Sequence, residues 1–337
     1  MKLRKDPFRR YILGLIITVI LFIPFPSFAG GGQHYPNGVE AFLIGVAPPP
    51  GFYLKWYNYY NTSTKLKDNK GRTLKLERDG QELDRLSVYG TIPRFIWISN
   101  QKILGGFYGQ HLFVPLLKVD LKVDALTPGG PVELSDRKTG IYDLIYSPFI
   151  WSWHSENGLL HTVGALDIFI PVGRHNKRDL VNIGKNFWTF EPVFAITGFL
   201  PQNKNLSASI KLMYDFNTKN NDFIIGPATA AKIGNPALTG LETNLTPGQE
   251  FHIDYSVEYA LTKDLRTGLT GYFYQQVTDD KTDLGTVKND KGRVFAIGPG
   301  IWYNHQRWFF DLHAAFETGA RNRPQGVTGL FNITYVF

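Results

Sequence analysis

The sequence predicts an all-β fold: a transmembrane, antiparallel, up-and-down β-barrel of about 12 strands after a cleaved N-terminal signal peptide. Three observations lead there. Apolar and polar residues alternate with period two in segment after segment, the mark of strands with one greasy and one wet face. The connectors are alternately short and long, the layout of a barrel with tight turns at one membrane face and loops at the other. The only long apolar run sits at the N-terminus, and a mean hydropathy of −0.17 excludes a bundle of membrane-spanning helices.

Residues 1–29 have the three parts of a secretory signal. Lys2, Arg4, Lys5, Arg9 and Arg10 form a basic start, and Tyr11 to Phe25 form an apolar core that Pro24 and Pro26 end. Ser27-Phe28-Ala29 places small residues at −3 and −1 of a cleavage point before Gly30. An uncleaved anchor is the rival, but the core is short for a spanning helix. Residues 30–51 are rich in Gly and Pro, and Pro48, Pro49 and Pro50 cannot donate to a strand ladder. They predict a periplasmic or lumenal segment: either a plug folded into the barrel or a tail outside it. Residues 52–337 are assigned to the barrel.

The clearest strands are 251–261, 307–317 and 327–337. Phe251, Ile253, Tyr255, Val257 and Tyr259 share one face of the first, with His252, Asp254, Ser256 and Glu258 on the other. Trp308, Phe310, Leu312 and Phe316 oppose Arg307, Asp311, His313 and Glu317 in the second. Four more segments, 141–152, 159–170, 187–199 and 206–216, follow with their own phases. In 141–152, Tyr142, Leu144, Tyr146 and Ile150 are expected outward, opposite Asp143 and Ser147. Segments 52–61, 86–99, 103–115, 265–277 and 293–303 complete the set with ambiguous phase, and Pro93, Pro115 and Pro299 are read as bulges or strand ends. Longer connectors are expected at 62–85, 116–139, 172–186, 217–250, 278–292 and 319–325.

A soluble β-sandwich or β-helix would also alternate. Charges in mid-strand argue against it, because a packed sandwich core does not tolerate them and a wet lumen does. Trp, Tyr and Phe near strand ends suit an aromatic girdle; the chain has 7 Trp, 17 Tyr and 25 Phe. The last strand closes on Phe337, which resembles the C-terminal signal that barrel-assembly machinery reads. The setting is thus the bacterial outer membrane, with its lipid and lipopolysaccharide as the barrel's surroundings.

Composition removes several functions. With no cysteine, disulfides, thiolate metal sites and cysteine nucleophiles are excluded. The net charge is +7, but most of it lies in the first ten residues, so no basic face is left for nucleic acid. No phosphate loop, dinucleotide fingerprint or metal-binding helix motif occurs, so neither cofactor nor metal is expected. His154-Ser155-Glu156-Asn157-Gly158 is close to the His-x-Ser-Asn-Gly pattern of outer-membrane lipid hydrolases. Adjacent residues of a strand point to opposite faces, so His154 and Ser155 cannot share one, and Asn157-Gly158 is an ordinary turn pair. No catalytic residue is assigned.

The candidate lumen-lining residues are Asp143, Asp167, Glu191, Lys211, Asp215, Asp254, Glu258, Arg266, Tyr272, Tyr274, Arg307, Asp311, His313 and Glu317, with His161 and His252 in the same phase. Such a set is either a salt-bridge ladder that stiffens the lumen or a polar pathway that selects solutes.

The sequence also resembles the family named for the meta-pathway of phenol degradation, a set assigned to outer-membrane transport. The carrying stretches are Gly30–Glu40, Ala47–Tyr60 with PPPGFYLKWYNYY, Leu66-Lys67-Asp68 with Gly71, Gly140–Asp143, Asp167–Gly173, and Gly271–Asp280 followed by Gly285. The resemblance implies a barrel that helps hydrophobic or aromatic compounds into the cell. Residues and resemblance together lead to a passive channel for small apolar or aromatic solutes. The rivals are a lipid hydrolase using His154 and Ser155, and a non-transporting barrel whose loop 217–250 binds a partner.

Overall fold

A computed structural model of the chain describes residues 33–127 and 129–337. The export signal read at 1–29 lies outside them. The barrel is formed by β1 (Gly51–Leu66), β2 (Gln81–Ile103), β3 (Gly106–Phe113), β4 (Leu116–Thr127), β5 (Gly130–Ile141), β6 (Leu144–His154), β7 (Leu160–Ile170), β8 (Thr189–Leu200), β9 (Asn203–Asn217), β12 (Glu250–Ala260), β13 (Leu265–Gln276), β16 (Arg293–His305), β17 (Trp308–Arg321) and β18 (Pro324–Val336). Outside it lie β10 (Asn220–Ile224), β11 (Glu242–Thr246), β14 (Asp280–Thr282) and β15 (Gly285–Val287), which form a small sheet of their own. Two short helices also lie outside the barrel, α1 (Leu76–Asp79) between β1 and β2 and α2 (Pro227–Ile233) between β10 and β11.

Every barrel pairing is antiparallel, and the ring closes because β1 pairs with β18 on one edge (Tyr53 opposite Val336) and with β2 on the other (Phe52 opposite Trp97). The 23-residue β2 carries two partners in turn. Arg94 faces Phe113 of β3, and Thr91 faces Leu116 of β4. Thus β3 and β4 are halves of one barrel strand, interrupted at Val114-Pro115 where proline has no N–H to give. In the same way β5 and β6 are halves of the next, interrupted at Tyr142-Asp143. Counted so, the described residues form a closed barrel of 12 strands, and closure leaves no unpaired rim in the membrane.

The β2–β3, β6–β7, β8–β9, β12–β13 and β16–β17 turns are short and lie at the end with Phe337, and the long connectors lie at the other. Three expected connectors differ. Residues 116–139 are mostly the β4–β5 hairpin, with 12-residue strands on each side, and the 62–85 stretch is strand at both ends. The 319–325 connector is a two-residue turn. Leu121 and Val123 of that hairpin are buried, and Leu121 packs with Leu66, Leu83 and Val181.

The outer face carries large apolar side chains with about half of their surface exposed, among them Phe194 at 47%, Leu269 at 54% and Leu312 at 55%. At the short-turn rim Trp308, Tyr335 and Phe337 touch one another, with ring centroids 4.6 and 5.0 Å apart. This is the aromatic girdle of a membrane barrel. Two expected outward residues are corrected. Ile150 is 4% exposed, because a register shift between Tyr146 and Phe149, at Pro148, turns it inward and Phe149 outward. Tyr142 is likewise buried, in the break between β5 and β6.

A divided lumen as the candidate functional site

Residues 33–50 run through the barrel interior, and their backbone and side chains bond to inward residues of the wall. The Tyr35 hydroxyl and the Gly38 N–H both donate to Asp254, at 2.7 and 2.9 Å. The Leu43 N–H donates to Glu258 at 2.8 Å, and the Gly45 N–H to Thr197 Oγ1 at 2.8 Å. His34 lies 3.0 Å from Asp143 and stacks on Phe169 with centroids 5.0 Å apart. His313 donates Nε2–H to the Gly38 carbonyl at 2.8 Å, while its Nδ1 faces Asp311. Wall carboxylates thus accept from the segment's N–H and O–H groups while wall side chains such as His313 and Asn332 donate to its carbonyls, which satisfies a chain that has no ladder of its own.

At Gly45 the approach is so close that a Cβ would lie 2.5 Å from the Thr197 nitrogen. Only glycine fits there. Gly173 and Gly184 of the β7–β8 loop make a second such contact, a Cβ on the first falling 2.6 Å from the Cα of the second. This contact lets the Gly173 and Lys185 N–H groups both donate to Asp143, at 2.9 Å each.

A charged belt crosses the lumen beside the segment. Glu40 accepts from Lys55 at 2.7 Å, from Arg94 at 2.7 Å and from the Tyr57 hydroxyl at 2.6 Å. Arg94 also meets His111 Nδ1 at 2.8 Å, and His111 Nε2 lies 2.9 Å from Asp167. Lys211 donates to the Tyr35 hydroxyl at 3.2 Å and sits 4.3 Å from that ring's centre. Two chambers flank the belt, and Asp167 borders both. The chamber toward the long loops holds about 370 Å³, between Tyr57, Ile92, Phe113, Leu117, Val119 and Ile145. The chamber toward the short turns holds about 590 Å³, between Ile44, Pro48, Ile96, Ile98, Val193 and Ala195. Both are walled mainly by aliphatic and aromatic groups.

The remaining candidates fall as follows. Asp215 faces His252 at 3.0 Å, and Glu191 is fully buried beside them. Arg266 is half-buried, 3.8 Å from Glu258. Tyr272 donates to Glu317 at 2.8 Å, Tyr274 to Glu250 at 2.9 Å, and Glu317 accepts from the Gly326 N–H at 2.6 Å. Arg307 differs from the rest: it is exposed in the β16–β17 turn, at the edge of the lower chamber. Sequence reasoning missed Glu40, Lys55, Arg94, His111, Lys185, Glu250 and Arg323, the last of which donates to Gln33 at 3.0 Å.

The His154–Gly158 stretch is a turn. Ser155 Oγ accepts from the Leu159 and Leu160 N–H groups and donates to Asn157 Oδ1 at 2.8 Å, while His154 meets His161 at 2.7 Å. The serine is engaged with the turn backbone and the histidine with another histidine, so no nucleophile–base pair forms there.

Closed ring, lipid-facing belt and enclosed polar interior define a 12-stranded β-barrel of the bacterial outer-membrane type. The chain belongs to the family described as "Putative MetA-pathway of phenol degradation", whose model matches residues 53–333. Among solved structures it is similar to the COG4313 outer membrane channel from Pseudomonas putida F1. The TM-score is 0.64 at 12% identity, over 89% of this chain and 100% of that one. It is also similar to the transport unit of the autotransporter AIDA-I from Escherichia coli. There the TM-score is 0.52 at 10% identity, over 88% of this chain and 94% of that one. At such identities the likeness is one of fold. No curated protein matches the sequence.

Proposed function

We propose that the protein is an outer-membrane channel for the passive uptake of small hydrophobic or aromatic compounds, and not an enzyme. One observation carries this: a closed barrel holds two apolar chambers in line, parted by a belt of ion pairs and an N-terminal segment. A cavity of about 150 Å³ is enough to hold benzene. Each chamber exceeds that, so an aromatic solute fits without repacking the wall. Solute enters from the loop side, rests against Phe113 and Tyr57, and passes the belt when Glu40 and its segment yield. The family description, tied to phenol degradation, and the naming of the Pseudomonas protein as an outer membrane channel agree with this reading. Lipid and lipopolysaccharide surround the wall, and the assembly machinery reads Phe337.

The test is flux into proteoliposomes of benzoate, an alkane and glucose, with the whole chain and with residues 30–50 deleted. Benzoate should enter faster than glucose through the whole chain, and deletion should raise both rates. Equal rates in empty and protein-bearing vesicles would refute the channel. Unchanged rates on deletion would refute the segment as its gate.

A further inference from the structure

We propose that Glu191, Asp215, Glu250 and His252 form a buried site for one divalent transition-metal ion. The register of the wall creates it. Asp167 of β7 lies directly opposite Glu191 of β8, and Asp215 of β9 lies directly opposite Glu250 of β12. Like charges facing one another across a ladder are destabilising unless something of opposite charge joins them. Asp167 has His111 beside it. The other three carboxylates have His252 alone: among the described residues no Lys or Arg nitrogen lies within ion-pair distance of Glu191, Asp215 or Glu250.

The geometry is that of a ligand cage. One donor atom each from Glu191, Asp215 and His252 lies within 4.8 Å of the others. His252 Nε2 is 3.0 Å from Asp215 Oδ2 and 3.6 Å from Glu250 Oε2. Donors bound tetrahedrally to a common zinc ion at about 2.0–2.2 Å stand roughly 3.3–3.6 Å apart, close to the two His252 separations. All four side chains are fully buried, and both Glu191 oxygens, Asp215 Oδ1 and Glu250 Oε2 have no hydrogen-bond donor among the described residues. Buried carboxylate oxygens need one.

The imidazole is already oriented. Its Nδ1 lies 2.6 Å from Asn37 Oδ1, so Nδ1 carries the proton and Nε2 points at the carboxylates. A histidine ligand is held in this way by its second nitrogen. An imidazole with three carboxylates suits zinc, manganese or iron better than calcium or magnesium. Because Asn37 belongs to the N-terminal segment, the ion would fix that segment to the wall through His252. The alternative is no ion, with a second proton on His252 Nε2 and another shared between the Glu191 and Asp215 carboxyls.

The test refolds the full chain into detergent micelles with Zn²⁺ or with EDTA, removes free metal, and measures bound metal by mass spectrometry. We expect one zinc per chain in the unaltered protein and at least tenfold less in the Glu191→Gln/His252→Gln double variant. Asp290→Asn, a buried carboxylate in an external loop, should keep the full amount. Asn37→Ala should weaken binding by about 10- to 100-fold, the usual effect of removing a ligand's orienting partner. Refolding with Co²⁺ should give visible ligand-field absorption, a readout on the unaltered chain that does not depend on the variants folding. The proposal fails if the unaltered chain keeps no zinc and shows no cobalt spectrum. It fails equally if the double variant retains full zinc.

Discussion

Glu40 gathers two cations and a phenol hydroxyl onto one carboxylate, so its charge holds the N-terminal segment against the wall. Removing one partner of a buried ion pair costs about 3–5 kcal/mol, because the other charges stay buried. Glu40→Gln keeps the shape and removes the charge. We expect it to expose residues 33–50 to protease and to raise benzoate flux, with little change in the melting of the barrel itself. A protection pattern like that of the unaltered chain would show that Glu40 anchors nothing. In the external loops, Asp290 is almost fully buried, and burial pushes its carboxyl up to about 7 although Lys232 opposes the shift. In the unfolded loop the group ionises near 3.8. Between those values the folded loop holds a proton that the unfolded loop lacks, so its stability falls as pH rises from about 4 to about 7. Amide exchange in α2 and residues 285–292, divided by the intrinsic exchange rate at each pH, should therefore quicken over that range, and Asp290→Asn should abolish that remaining dependence.

Gly45 sets how closely the lumenal segment lies on β8. Gly45→Ala would drive a methyl into the backbone at Ile196 and Thr197, which cannot move within a ladder bonded on both sides. The segment must lift, the Gly45–Thr197 bond must break, and flux should rise as is expected on deleting residues 30–50. Flux at the level of the unaltered chain would mean that the segment's end near Gly45 does not obstruct the path. Legibility also varied by element. The inward phase of 206–216 and 251–261 could be read directly, because Lys211, Asp215, Asp254 and Glu258 stand alternately among apolar residues. The β4–β5 hairpin stands where the sequence predicts a connector, although LKVDLKVDA alternates as well as any barrel strand. Its partner is the far half of β2, whose length of 23 residues no local pattern revealed. Lys55, Arg94 and His111 went unplaced because aromatic residues on both faces hid the phase of their strands. Each is a lone charge in an apolar run, and that alone points inward, since a charge facing lipid is costly.

At the scale of the molecule, the outer face must be apolar at mid-height and need not be at the rim. Phe194 lies near the middle of β8 and Leu200 at its end, and both face outward. Phe194→Arg should lower folding stability in lipid vesicles by about 2–4 kcal/mol and Leu200→Arg by about 0–1 kcal/mol. Equal costs would contradict the membrane span assigned to this barrel. The same asymmetry explains the interior. Carboxylates and cations are affordable there only because partners from distant strands and from residues 33–50 meet them.

What the sequence determined alone was the alternation and the strand number. A lipid-facing residue must be apolar whatever its neighbours, so each strand records its own orientation, and twelve such records make a barrel. What the tertiary structure alone decided was who meets whom inside. Glu40 joins Arg94, Asn37 joins His252, and Glu191 joins Asp215, through the stagger of twelve strands and the path of a segment without periodicity. Stagger depends on the ladder as a whole, and the segment's path on the space the ladder leaves. Neither leaves a local trace in the order of residues.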